Sequence, residues 1–286
     1  MSKEISSNTW EIIISSKRGL FEINFTQLFQ YSDLLKMFLI RDIAVNYKQT
    51  VLGPLWFIAQ PIMTTIIYVF VFGNIANLST DGIPKPLFYL CGIIIWNYFS
   101  DCFIRTSDTF SQNADIYGKV YFPRLISPIS VVISNTLKFF IQLLLFITIY
   151  MYLILSNDYN LQIQVSIVFL PLLIFLMSLL GLGFGLIFSS LTTKYKDLKF
   201  LIQFGVQLLM YATPVIYPLS SIPDKYKFYF KLNPITYIIE AFKYSFFGTG
   251  QTNVGGLIYS SVIIIFILFL GILIFNKTEK SFMDTI

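Results

Sequence analysis

Gly118 and Lys119 are the only adjacent glycine and lysine in the chain, so phosphate chemistry would have to start there. A nucleotide-cradling loop of the form G-x-x-x-x-G-K-[ST] needs a second glycine five residues earlier and a hydroxyl after the lysine. Asn113 and Val120 stand at those places, and the chain therefore has no loop of its own for hydrolysing ATP. It has no histidine and two cysteines, which leaves no cluster suited to a zinc site or a Ser-His-Asp triad. Cys91 and Cys102 fall on one expected helix roughly 16 Å apart, well beyond the ~7 Å that a disulfide tolerates, and read as buried apolar fillers.

What the stretch Asn113-Ala-Asp-Ile-Tyr-Gly-Lys-Val-Tyr-Phe-Pro-Arg124 offers instead is a contact surface. Ile116, Tyr117, Tyr121 and Phe122 supply apolar anchors and Asp115, Lys119 and Arg124 a polar rim, the mixture found where proteins meet. Pro123 should end the segment and pass its motion to the next helix. The competing reading is an ordinary loop whose aromatics rest among lipid headgroups.

This island lies between long apolar runs. With 56% hydrophobic and 12% charged residues, against about a quarter charged in soluble domains, the chain reads as an integral membrane protein. A net charge of +5 does not point to nucleic acid, because the basic residues are scattered between apolar runs and form no single stripe.

The expected fold class is all-α, with six transmembrane helices. Spans are expected near 55–75, 87–104, 128–155, 165–191, 200–217 and 257–275, each long enough to cross ~30 Å of hydrocarbon, which takes roughly 17–25 residues. Residues 1–30 form an N-terminal tail with no pattern of a removable signal peptide. Residues 31–52 hold an amphipathic interface helix, with Leu35, Phe38, Leu39 and Ile43 on one face and Arg41, Asp42 and Lys48 mostly away from it. Residues 53–276 form the spanning domain and 277–286 a tail. Between spans five and six, residues 218–247 carry Pro218, Pro223, Pro234 and several charges. The apolar piece 235–247 is too short to span, which predicts short re-entrant or interfacial helices there.

Basic residues orient the chain. Six precede the first span, three lie in each of the second-to-third and fourth-to-fifth links and two in the tail, against Lys85 and four in the last long loop. By the positive-inside rule both termini are cytoplasmic. Lys138 is the one clear mid-span charge, expected to snorkel or to pair with Asp101. Gly181, Gly185 and Ser189 recur every four residues and make a smooth ridge for close helix packing. Trp96, Asn97, Tyr98, Tyr211, Tyr217, Tyr226 and Tyr229 are candidates to line a channel or gate, since Tyr and Trp offer a sugar polymer both ring faces and polar partners. Aromatic girdles at the headgroup level explain many such residues equally well.

RDIAVNYKQTVLGPLWFIAQPI (41–62), YGKVYFPRLISP (117–128), KYKDLK (194–199), YATPVIYP (211–218) and LNPITYIIEAFKYSFFGTG (232–250) together resemble the permeases of ATP-binding-cassette exporters of lipid-linked polysaccharides such as O-antigen, capsule and teichoic acid. The resemblance covers nearly everything after Tyr31. It implies a homodimer of six-span subunits in the bacterial inner membrane, working with two cytoplasmic ATPase subunits that carry the ATP, while this chain is no enzyme and binds no cofactor itself. It further implies a channel at the dimer interface and an interface helix containing Arg41, Asp42, Tyr47 and Lys48. A coupling loop at 111–126, centred on Asp115 to Arg124, and an external gate at 218–247 complete what it implies. The rival expectation is a permease of the same architecture exporting a small lipophile, a drug or teichoic acid. An ion channel is disfavoured by the lack of a filter motif or a regularly charged sensor helix.

Overall fold

The computed structural model describes residues 30–47, 50–120, 122–156, 163–250 and 253–282. Among these every regular element is helical. Five helices are long and apolar enough to cross a membrane.

Helix α1 (Ser32–Tyr47) precedes the first span and packs along the start of the third. It turns Phe38 inward, while Met37, Ile40 and Val45 stay exposed, so two of its sides are apolar. Gly53, with φ +50, lets the chain turn from α1 into a 3-10 turn that carries Pro54 in its first positions. The first span follows as α2 (Trp56–Tyr68), with Pro61 inside it, and continues as a π-helix over Val69–Ile75.

Helix α3 (Lys85–Ser107) is the central element, and its first two thirds are almost wholly buried. Two four-residue turns, α4 (Thr109–Gln112) and α5 (Ala114–Tyr117), lead to α6 (Ile126–Leu155). The link expected around Asn157 and Asp158 lies outside the described residues. A 3-10 turn over Val165–Phe169 enters α7 (Leu170–Lys194).

Glycines decide how α7 packs, because a missing Cβ lets backbones approach closely. A Cβ on Gly181 would sit 2.6 Å from Cys102 Cβ, and one on Gly185 would overlap Thr106, so the expected ridge lies directly on α3. Gly183, two residues along and so on the other side, meets the backbone of Leu268 at 3.0 Å. Leu268 belongs to α11 (Val254–Phe282), the last span. Cys91 and Cys102 are both free and buried.

The fifth apolar segment differs from the expected 200–217. Its helix, α8 (Leu198–Tyr211), has 14 residues, about 21 Å at 1.5 Å per residue, short of ~30 Å of hydrocarbon. The residue before a proline is biased away from helix, and Pro214 and Pro218 both follow closely. The chain turns there, with Val215 N–H donating to Thr213 O at 2.7 Å. Beyond a 3-10 turn at Leu219–Ser221 come α9 (Asp224–Leu232) and α10 (Pro234–Phe247). Asn233 caps α10 by accepting from Ile235 N–H at 3.0 Å, Pro234 fills its first position, and Gly248, at φ 65, ends it.

Candidate functional site: the island between the second and third spans

Two hydrophobic clusters divide the molecule. The larger lies among α3, α6, α7 and α10. The smaller gathers Phe38, Phe110, Tyr117, Phe122, Ile126, Leu186 and Phe275, which come from α1, α4, α5, the loop at 122–125, and the ends of α6, α7 and α11 that lie on the same side. This second cluster is the floor on which the 113–124 island stands.

Ring contacts hold the floor together. Phe275 stacks on Phe110 at 4.5 Å, Phe110 meets Tyr117 edge-on at 5.8 Å, and Phe122 lies 5.6 Å from both Tyr117 and Phe38. Such pairs add about 0.5–1.5 kcal/mol each beyond the area they bury. Burial pushes the Tyr117 phenol well above its ordinary pKa, so the ring stays neutral at any physiological pH.

Polar contacts tie the island to helices distant in sequence. Arg41 donates from Nη1 to Asn113 Oδ1 at 2.7 Å and from Nη2 to Asp42 Oδ1 at 2.8 Å. Ser130 Oγ donates to the other Asp42 oxygen at 3.1 Å, which brings α1, the island and α6 into one network. Arg124 donates to the Glu279 carbonyl at 2.9 Å, and its guanidinium lies 5.3 Å from the Tyr117 ring centre. Lys199, from α8, pairs with Asp108 at 2.9 Å and donates to Ser111 Oγ at 3.0 Å.

The seven expected coupling residues therefore divide. Tyr117, Phe122 and Arg124 are buried, and Ile116 is half-buried against the same cluster. Asp115 and Lys119 are exposed. Tyr121 lies outside the described residues. Three of the groups expected to face a partner thus hold the loop in place, because an isolated turn of four residues has too few internal bonds to keep its shape. The outward face consists of Ser111, Gln112, Asp115, Gly118, Lys119 and Val120. Of the interface-helix residues, Arg41 reaches the island at Asn113 and Asp42 accepts from Arg41 and Ser130; the side chain of Tyr47 and all of Lys48 lie outside the described residues.

At the middle of α3, Trp96 and Tyr98 are buried in the main cluster, with Tyr98 Oη 2.9 Å from Thr136 Oγ1, and Asn97 is half-buried. Tyr211, Tyr226 and Tyr229 are exposed. Tyr217 is half-buried, donates to the Tyr211 carbonyl and meets Phe230 edge-on at 6.0 Å. Gly92, near the start of α3, packs on Val215, so the segment carrying Tyr211 and Tyr217 lies toward the end of α3 away from the island.

Sequence reasoning passed over Asn113 as a partner of α1, Lys199 as a tether and Lys243. The Lys243 ammonium is buried, donates to Pro214 O at 2.7 Å and sits 3.9 Å from the Phe88 ring centre. A Glu240/Lys243 pair of charges within a largely apolar helix was the available signal. Lys138 does pair with Asp101, at 2.6 Å.

The loop is thus floored by aromatics and bonded to α1 through Arg41–Asn113 and to α11 through Arg124–Glu279. The model of the ABC-2 type transporter matches residues 33–247, three quarters of the chain. The chain belongs to the ABC-2 type transporter family. Two O-antigen export system permease proteins of Klebsiella pneumoniae are 29% and 30% identical to it, each over 88% of this chain and 94% of its own length. An O-antigen export permease of Myxococcus xanthus is 26% identical over 91% of this chain and 98% of that one. A polysialic acid transport protein of Escherichia coli is 24% identical over 86% and 93%. The family match contains nearly all of α1, the island, α8 and the α9–α10 pair, while Phe275 and Glu279 of α11, which contact the island, lie beyond it.

Proposed function

We propose that this chain is the membrane subunit of an ABC exporter that carries lipid-linked polysaccharide out of the cytoplasm. The observation that carries the reading is the near end-to-end similarity to permeases named for O-antigen and polysialic acid export. In this reading the 111–120 face receives a cytoplasmic ATPase, both termini are cytoplasmic, and the membrane is the bacterial inner membrane. Segment 198–217 completes a sixth crossing by combining α8 with the turn beyond it, and α9 and α10 form the external gate. A second copy of the chain covers the exposed apolar face of α2 (Met63, Ile66, Phe70) and of α8 (Phe200, Leu201, Phe204).

Two copies of the permease and two of the ATPase enclose the path of the polymer, and the energy comes entirely from the partner. The test is reconstitution of the chain with its cognate ATPase in vesicles. Undecaprenyl-linked polysaccharide should stimulate ATP hydrolysis and become accessible to an externally added glycosidase. Stimulation by small lipophiles with none by the lipid-linked polymer would refute the polysaccharide assignment.

A further inference from the structure

Pro61 lies inside α2 and is buried. A proline there has no N–H for the carbonyl four residues earlier, and its ring crowds that carbonyl. The carbonyl belongs to Phe57, and Gln142 Nε2, from α6, donates to it at 3.3 Å. Gln142 is 2% exposed and stands between Ile141 and Leu143 in a strongly apolar helix, where an amide is costly unless it is bonded. One turn away on α6, the Lys138 ammonium lies 5.5 Å from the centre of the Phe57 ring and pairs with Asp101 of α3 at 2.6 Å. Two polar groups of α6, one of them held by an acid of α3, thus converge on a single residue of the first span.

Beyond this point the span is held by Tyr68, edge-on to Tyr89, and by the Lys85 ammonium, which donates to the Gly73 carbonyl at 2.7 Å, but it buries few of its own side chains. Across α2 and its π-helical extension only Pro61, Thr65 and Gly73 are buried, while Met63, Ile66, Ile67 and Phe70 are all more than half exposed. We infer that Gln142 is a positioning residue for the first span: its amide takes up the Phe57 carbonyl at the Pro61 break and sets the direction in which the outer part of the span leans. The Lys138–Asp101 pair steadies the Phe57 ring one turn closer to the island. This goes beyond the exporter reading and does not depend on the substrate, since it needs only that α2 crosses the bilayer.

The experiment uses the full chain in lipid nanodiscs, spin-labelled at Phe70→Cys and Leu144→Cys and diluted with unlabelled protein so that distances within one chain dominate. Gln142→Leu removes the donor and Gln142→Asn shortens it. Both should widen the 70–144 distance distribution. Pro61→Ala restores the N–H within the helix, so the distribution in Pro61→Ala should be narrow and should not change when Gln142→Leu is added. Insertion failure of the Gln142 variants that is rescued by Pro61→Ala supports the same assignment. An unchanged distribution in Gln142→Leu would overturn it. So would widening, or loss of insertion, that is equally large with and without Pro61→Ala, because the amide would then serve some other group.

Discussion

Arg124 and Glu279 are 155 positions apart, yet the Arg124 guanidinium donates to the Glu279 main-chain carbonyl at 2.9 Å. The contact fastens the island to the last helix beyond the end of its apolar run, with the Glu279 carboxylate 4.0 Å from Arg124 Nε. Arg124 is 7% exposed, so removing it leaves a shielded carbonyl to find another donor, a loss of about 1–3 kcal/mol. Arg124→Met should lower the thermal midpoint of the detergent-solubilised protein and weaken ATPase capture. Arg124→Lys should restore only part of both, because an ammonium cannot keep the planar guanidinium's stacking on Tyr117.

The buried and exposed parts of the island should separate in mutants. Tyr117→Ala opens a void in the aromatic floor and should cost about 3 kcal/mol of stability, seen as a lower melting temperature together with weaker ATPase binding. Lys119→Glu reverses a charge on the outward face and should leave melting unchanged, within about 0.5 kcal/mol, while reducing pull-down of the ATPase. Melting curves run beside the pull-down check the pair, and equal melting temperatures for the two variants would contradict this division of roles.

Gly185→Leu should fail to assemble, because its side chain must enter space that Thr106 of α3 fills. Gly205, which has nothing within 4 Å of a built Cβ, is the control on α8: Gly205→Ala should leave the protomer's folding intact. Membrane-fraction yield and size-exclusion profiles of the two variants provide the comparison.

Most of the architecture was legible because transmembrane patterning is strong. Uninterrupted apolar length located the first, second, third, fourth and last spans, and small-residue spacing located the α7–α3 contact. The fifth segment's helix stops at Tyr211, short of the expected end, for a physical reason: 200–217 carries no charge, but Pro214 and Pro218 remove helix bonds that hydropathy alone does not register. At the island, composition pointed to a contact surface but could not say which aromatics face inward. Tyr117 and Phe122 are held inside by Phe38, Phe110 and Phe275, and those partners come from segments up to 158 residues away in sequence. Gln142 and Lys243 gave a signal, as polar residues in apolar helices, but their acceptors are main-chain carbonyls exposed by prolines elsewhere, which no local pattern reveals.

Lys243 sets the last expectation. Its ammonium holds the Pro214 carbonyl at 2.7 Å and lies over Phe88. Gly92 leaves room for the Val215 carbonyl, which would meet a built Cβ at 2.7 Å. The turn after α8 is therefore clamped between α10 and α3 from two sides. Lys243→Met keeps the stem and removes the donor, so the turn that leads into α9 and α10 should loosen. Ile216, 1% exposed, reports that loosening: Ile216→Cys should resist a membrane-impermeant maleimide in the parent background and react several-fold faster when combined with Lys243→Met, while the exposed Ser221→Cys reacts at the same rate in both. The two native cysteines are buried and contribute little background. Labelling of Ser221→Cys in intact cells should come from the external side, and protection of Ile216→Cys in both backgrounds would show that Gly92 and the prolines alone hold the turn.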